Sequence, residues 1–174
     1  MNRFVFLNRI LLALSIFCSF LSYSQNDSLI RALDQTFDSR ERVDILNQIS
    51  INYYYINFDS LLLYANEAYK EALAASYTEG EILAIHRKCY YYLNIGDRQT
   101  AMAMLKQAEL LAEKNGLKVL LARSYMLYGD IYSGAEIFDQ AFNYYTLARD
   151  IFHERNELHF ETMCLNRLGI LYGK

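Results

Sequence analysis

Small and apolar residues recur along this chain with a period of 40 residues, superimposed on the spacing of a helix. Four columns show the period: Cys89/Gly129/Gly169, Leu61/Ala101/Ala141, Ala65/Leu105/Tyr145 and Ala68/Ala108/Ala148. A period of roughly 20–50 residues built on helical spacing is typical of stacked helical repeats. The pattern therefore predicts an all-α solenoid of antiparallel helix pairs. Ala112 lies outside these columns, so we expect it to tolerate a larger side chain better than Ala148.

The frame also predicts where each helix begins and ends. First helices of the pairs are expected near 41–56, 80–95, 120–134 and 159–173, and second helices near 58–75, 98–114 and 137–154. The breaks contain residues that cap helices or accept positive φ: Asn57-Phe58-Asp59, Gly96-Asp97, Asn115-Gly116 and Ser133-Gly134. The array would contain three full units, 41–80, 81–120 and 121–160, and the first helix of a fourth, 161–174.

A short helix is expected to precede the array, within residues 25–40. Leu29, Ile30, Leu33 and Phe37 share one face of a helix over Asn26–Phe37. Ser39 is the expected N-cap of the helix that follows, since serine oxygens accept hydrogen bonds from the first free N–H groups.

Residues 1–24 have the pattern of an export signal. Arg3 and Arg9 are followed by the twelve-residue apolar run Ile10–Leu21 and then by Ser22-Tyr23-Ser24, with small residues at −3 and −1. The alternative is a retained membrane anchor, but twelve residues span only ~18 Å of helix against a ~30 Å hydrocarbon core. The sequence thus predicts a periplasmic or extracellular protein with no stable membrane span after cleavage.

Composition excludes two other classes. Apolar residues make up 53% of the chain, which is too many for a disordered protein. The net charge is −3, and −5 without the first 24 residues, where 15 basic face 20 acidic residues. With no run of lysine and arginine along the chain, we expect no nucleic-acid partner.

The third unit carries a motif that resembles the tetratricopeptide repeat (TPR). It has Tyr125-x2-Tyr128-Gly129-x2-Tyr132 followed by Ala141-x3-Tyr145 and Ala148. The fourth begins in the same way, with Leu165-x2-Leu168-Gly169-x2-Tyr172, and the second keeps Tyr92, Ala101 and Ala108. Two features differ from the family: its repeat is about 34 residues long, and the proline that usually follows its second helix is missing here.

The resemblance implies a non-catalytic scaffold that binds a protein or peptide, without a cofactor. Exported arrays of this kind resemble the sensor portions of bacterial envelope regulators. A small molecule or glycan bound in a tyrosine-lined groove is the alternative, and an enzyme is the least supported interpretation. The apolar C-terminal helix, 160–173, is expected to be able to self-associate, because its partner helix would begin where the sequence stops.

The inner face of the predicted first helices is the candidate binding groove. Its expected residues are Leu46, Tyr53, Tyr54, His86, Tyr90, Asn94, Arg123, Met126 and Asp130. Chaperone-binding relatives have lysine and asparagine at positions that here are Leu46, His86 and Met126, or Ser50, Tyr90 and Asp130. We therefore do not expect capture of a peptide's terminal carboxylate by that set. The alternative is that the preceding short helix covers part of the groove.

Histidine and cysteine are the remaining residues that could carry chemistry. His86 and Cys89 have i,i+3 spacing, but no second pair completes a metal site, so no metal is expected. Cys89 and Cys164 lie in helices separated by a whole unit, beyond the reach of a disulfide. Both are expected to be small buried apolar residues.

Overall fold

The computed structural model describes residues 26–173, and all regular structure within that range is α-helical. The helices are α1 (residues 26–35), α2 (Ser39–Asn52), α3 (Phe58–Ala74), α4 (Thr78–Asn94), α5 (Arg98–Lys114), α6 (Lys118–Gly134), α7 (Phe138–Glu154) and α8 (Leu158–Tyr172). From α3 onward a new helix begins every 20 residues. The prediction of an all-α array of helix pairs with a 40-residue period is confirmed.

The turns between helices repeat as strictly as the helices do. A residue with positive φ ends each helix from α3 to α7, namely Ser76, Gly96, Gly116, Glu136 and Asn156. Each is followed by a hydrogen bond that closes a Schellman motif, such as Asp97 N–H to Tyr92 C=O at 2.8 Å. The expected break at Ser133-Gly134 is therefore wrong by two residues, because Gly134 is the last residue of α6.

Consecutive helices pack on one another, and the first helices of successive pairs also touch. The helix α2 packs on α4, and α4 on α6, whereas α3, α5 and α7 are not in comparable contact with one another. The first helices must therefore form the concave side of the described array. Any surface that draws residues from several units lies on this side.

Small residues fill the columns where helices approach closely. Ala68, Ala108 and Ala148 are fully buried, as are Leu61, Ala101 and Ala141. Ala112 is buried as well, in a column with Ala72 and Phe152. The expectation that Ala112 lies outside the packed columns is wrong, because α5 is covered on both sides by its neighbours.

The N-terminal helix is fixed to the array by its backbone and side chains. Arg42 donates to the Leu33 carbonyl at 2.8 Å and pairs with Glu71 at 2.9 Å, which joins α1, α2 and α3. Phe37 lies beyond the end of α1 and is 96% exposed, so its expected place on the packed face is wrong. Asp38, not Ser39, caps α2 by accepting from the Glu41 N–H at 2.8 Å.

The predicted export signal lies outside the described residues. Within residues 26–173, no helix is long and apolar enough to cross a membrane.

Candidate functional site

Two adjoining cavities, of about 490 and 360 Å³, open along the concave side. Tyr54, Tyr90 and Arg167 line both, so the cavities form one continuous surface, here called the inner groove. The larger is also lined by Gln48, Ile51, Tyr55, Arg87, Arg123, His159, Phe160 and Met163. The smaller is also lined by Phe58, Leu93, Asn94, Arg98, Asp130, Ile131 and Gly134. No residue of α1 lines either cavity, so the described part of that helix does not cover the groove.

Two tyrosine rings form the centre of the inner groove. Tyr54, in the turn after α2, meets Tyr90 of α4 edge to face, with ring centroids 5.0 Å apart. Tyr54 also contacts Phe58 at 5.5 Å. Burial raises the pKa of both phenols, so each remains a neutral donor at physiological pH. The Tyr90 hydroxyl has no hydrogen-bond partner among the described residues and is free to meet a ligand.

The structure places only part of the expected set at the groove surface. Besides the two tyrosines, Asn94, Arg123 and Asp130 line it. Tyr53 lines neither cavity, because its ring stacks on Tyr64 of α3 at 5.7 Å.

The other three expected residues, Leu46, His86 and Met126, are buried. Leu46 packs with Ala68 and Ala84, and Met126 belongs to the core formed by α6, α7 and α8. None of the three is accessible to a ligand at the groove surface.

His86 is a buried structural residue. Its Nε2 lies 2.8 Å from Ser124 Oγ. Burial, together with Arg123 and Arg87, lowers its pKa well below the usual range, so the ring is neutral. Burial raises the pKa of Cys89 to about 12, and the thiol donates to the Ala101 carbonyl at 3.6 Å.

The two cysteines of the described range are free and buried, as predicted: Cys89 and Cys164. Across residues 26–173, no group of three or more His, Cys, Asp and Glu side chains is placed to hold a metal ion.

Most of the arginines in the inner groove were not predicted from the sequence. Four line it, Arg87, Arg98, Arg123 and Arg167, against one carboxylate, Asp130. No run of basic residues exists along the chain, yet the fold brings these four arginines to one surface. A signal was available, since Arg87 and Arg167 stand 80 residues apart and so occupy the same repeat column.

One of these arginines is held by an ion pair. Arg167 Nε donates to Asp130 Oδ1 at 2.6 Å, and its Nη2 to Oδ2 at 3.2 Å. Asp130 also accepts from the Tyr145 hydroxyl at 2.7 Å, so this carboxylate joins α6, α7 and α8. The ion pair raises the pKa of Arg167 despite its burial. Arg167 therefore lines the groove in a fixed position, and Asp130 partly neutralises its charge.

Comparison with solved structures identifies the architecture. The crystal structure of the apo form of RapI matches 87% of this chain with a TM-score of 0.67 and 20% sequence identity. The chain is an all-α, TPR-like solenoid. It spans 56% of the length of RapI, and the likeness shows the fold alone. No model of a protein family and no curated protein matches the sequence.

Proposed function

We propose that this protein is a non-catalytic scaffold that binds a segment of another protein in the inner groove. The observation that carries the proposal is the continuity of the groove, in which Tyr54, Tyr90 and Arg167 border both cavities. Aromatic rings along a concave helical surface suit an extended or helical peptide, because they offer large contact area at low cost in side-chain entropy.

A small molecule or glycan is the alternative ligand. The inner groove takes residues from four successive first helices, which favours an elongated ligand over a compact one.

Enzymatic activity has less support from the described residues. A Ser–His hydrogen bond joins Ser124 to His86, the pairing that a nucleophile and its base would need. Both residues are buried, so no substrate could reach them without opening the packing between α4 and α6.

The test is a selection of octapeptides against the full chain, run beside a glycan panel, followed by affinity and melting measurements on variants. Tyr54→Ala and Tyr90→Ala should each weaken binding of a selected peptide by about 1–2 kcal/mol. Tyr53→Ala is the matched control, since this neighbouring ring lines neither cavity, and it should leave affinity unchanged. Glycans bound in place of peptides would overturn the proposal, as would full affinity in both groove variants.

We further propose that the chain works outside the cytoplasm, as the sensor part of a regulatory system. The pattern of residues 1–24 supports export, and the scaffold fold is compatible with a sensor that reports binding to a partner. Intact-mass analysis of the protein from its native host should show a chain that begins near Gln25. A mass that retains Met1 or Arg3 would contradict cleavage of the signal.

A further inference from the structure

Three of the four arginines in the inner groove form no ion pair among the described residues, and two of these, Arg87 and Arg123, line the larger cavity. Arg87 of α4 is only 7% exposed, and its one hydrogen bond is a long one, from Nε to the Asn47 carbonyl at 3.4 Å. Arg123 of α6 lies over the ring of Phe160 at 5.1 Å. Within residues 26–173, neither guanidinium forms an ion pair, whereas Arg42, Arg149 and Arg167 each do.

In the protein without a ligand, the unpaired guanidinium groups of Arg87 and Arg123 cost free energy. A charge removed from water costs free energy unless it is paired, and two like charges in one cavity repel each other. Burial and the nearby Arg123 lower the pKa of Arg87 to about 10, and burial lowers that of Arg123. Both groups are still charged at neutral pH, and an anion that entered the cavity would relieve this cost.

The charges around the pair indicate the kind of anion. Both arginines line the larger cavity, beside the unpartnered hydroxyl of Tyr90, while Arg98 lines the adjoining one. Since Asp130 neutralises only Arg167, three arginines of the groove remain without a carboxylate. A single terminal carboxylate would neutralise one of them, whereas a segment with several acidic side chains would match all three.

We propose that the inner groove binds an acidic protein segment, with an Asp or Glu side chain held between the guanidinium groups of Arg87 and Arg123. A planar guanidinium donates two parallel hydrogen bonds to a carboxylate, which gives both strength and orientation. This inference rests on the proposed function, since it names the chemistry of the segment that the scaffold binds.

A protein segment is favoured over nucleic acid as the source of the negative charge. Proteins that bind a phosphate backbone spread lysine and arginine over a face or along a helix. Here four arginines are gathered in one groove whose described lining contains no lysine, and the chain as a whole carries a net charge of −3. A single-stranded DNA oligonucleotide belongs in the test as the competing ligand.

The first arm of the test uses peptides selected from a random octapeptide library against the full chain. Selected peptides should be rich in Asp and Glu, and changing one critical Asp or Glu to its amide should weaken binding about ten- to a hundredfold. Amidation of the peptide's C-terminus should have little effect. Binding that depends on the terminal carboxylate alone, or on no acidic group, would overturn the inference while leaving the proposed function in place.

Variants connect that loss to the arginine pair. Arg123→Gln should weaken binding of the acidic peptide about ten- to a hundredfold but leave binding of its amide-substituted form unchanged. Arg87→Lys keeps the charge without the fork and should give an intermediate loss. Arg149→Gln is the matched control, because Arg149 pairs with Asp150 on α7 outside the inner groove. Equal losses in all three variants would overturn the inference, as would tighter binding of the oligonucleotide than of any peptide.

The second arm tests the pair without a peptide. Glutarate is titrated into the full chain while the Nε–H signals of the arginines are followed by NMR, with sodium chloride at equal ionic strength as reference. Saturable shifts of the Arg87 and Arg123 signals in the wild-type protein would support a carboxylate site. In Arg123→Gln the shift of the Arg87 signal should then be lost. Shifts no larger than those with chloride would overturn it. If no octapeptide is selected, the proposed function fails, and this arm still decides whether the arginine pair takes a carboxylate.

Discussion

Tyr145 of α7 lies directly against the backbone of Gly129 in α6. A Cβ at Gly129 would lie 2.4 Å from Tyr145 Cε1 and 2.5 Å from Cδ1, distances that real Cβ atoms do not reach. The Tyr145 hydroxyl is tied to Asp130 at 2.7 Å, so the ring has little freedom to move aside. The close approach of α6 and α7 therefore depends on the absence of a side chain at residue 129.

Gly129→Ala should destabilise the protein although alanine is the better helix former. Overpacking typically costs about 1–3 kcal/mol, which outweighs the roughly 0.5–1 kcal/mol that alanine gains over glycine inside a helix. Gly169→Ala is the matched control, because it occupies the same repeat column and a Cβ added there would meet no neighbouring side chain within 4 Å. It should be neutral or slightly stabilising in urea unfolding. Equal destabilisation by the two substitutions would contradict the prediction, because it would show that contact with Tyr145 is not what makes Gly129→Ala costly.

The same column shows why the fold could be predicted from the sequence. Gly129 in this column, and Ala148 in the column of Ala68 and Ala108, lie where two helices approach closely. The spacing of such small residues therefore repeats with the architecture and is visible along the chain. The turns were harder to locate, because three of the five positive-φ positions are Ser76, Glu136 and Asn156, which lack the glycine signal. At these positions the Schellman hydrogen bonds stabilise the positive φ, which cannot be predicted from the residue type.

The groove was harder to predict than the fold, for a different reason. Position in a repeat column gives the direction of a side chain around its helix but not its depth, so Leu46, His86 and Met126 face the concave side yet are buried. Arg87 and Arg123 come from different helices and different columns. Their meeting depends on how α4 and α6 stack, which a linear pattern does not contain.

Asp130→Asn should destabilise the protein by about 1–3 kcal/mol. The carboxylate accepts from Arg167 and Tyr145, and its loss leaves a partly buried guanidinium without its ion pair. Asp150→Asn breaks the more exposed pair with Arg149 and should cost no more than about 1 kcal/mol. Chemical denaturation of the two variants at equal pH and ionic strength measures the difference. Equal destabilisation by the two substitutions would show that water screens the contacts of Asp130 with Arg167 and Tyr145, and that these contacts do not stabilise the packing of α8.

The exposed apolar side chains of α8 predict self-association. Leu165, Ile170 and Tyr172 are 48%, 63% and 78% exposed, and large apolar side chains grouped on one helix favour contact with a second apolar surface. Light scattering over a concentration series should show a dimer or larger species, and a Leu165→Glu/Ile170→Glu double variant should be monomeric. Leu110→Glu on α5, where Leu110 is also exposed, is the control and should not change the assembly. A wild-type protein that stays monomeric at the highest concentration would contradict the prediction.

His86 should make the protein less stable as the pH falls. The folded state keeps this ring neutral because burial, Arg123 and Arg87 lower its pKa well below the usual range. In the unfolded chain a histidine titrates near ~6.5, so below that pH the unfolded state binds about one more proton than the folded state. Stability therefore rises with pH, and acidification below the ordinary pKa of histidine progressively lowers the free energy of unfolding until the pKa of the folded state is reached.

His86→Gln isolates this contribution, because the glutamine amide can still donate to Ser124 but cannot bind a proton. Urea unfolding of both proteins at intervals from pH 7.5 to 5 should give a shallower pH dependence for the variant, with the gap between the two curves changing steadily as the pH falls below ~6.5. Gly129→Ala serves as the control, since it lowers stability without removing an ionisable group, and its curve should run parallel to that of the wild type. If the His86→Gln curve is parallel too, His86 binds its proton equally in the folded and unfolded states, and its pKa is not lowered by burial.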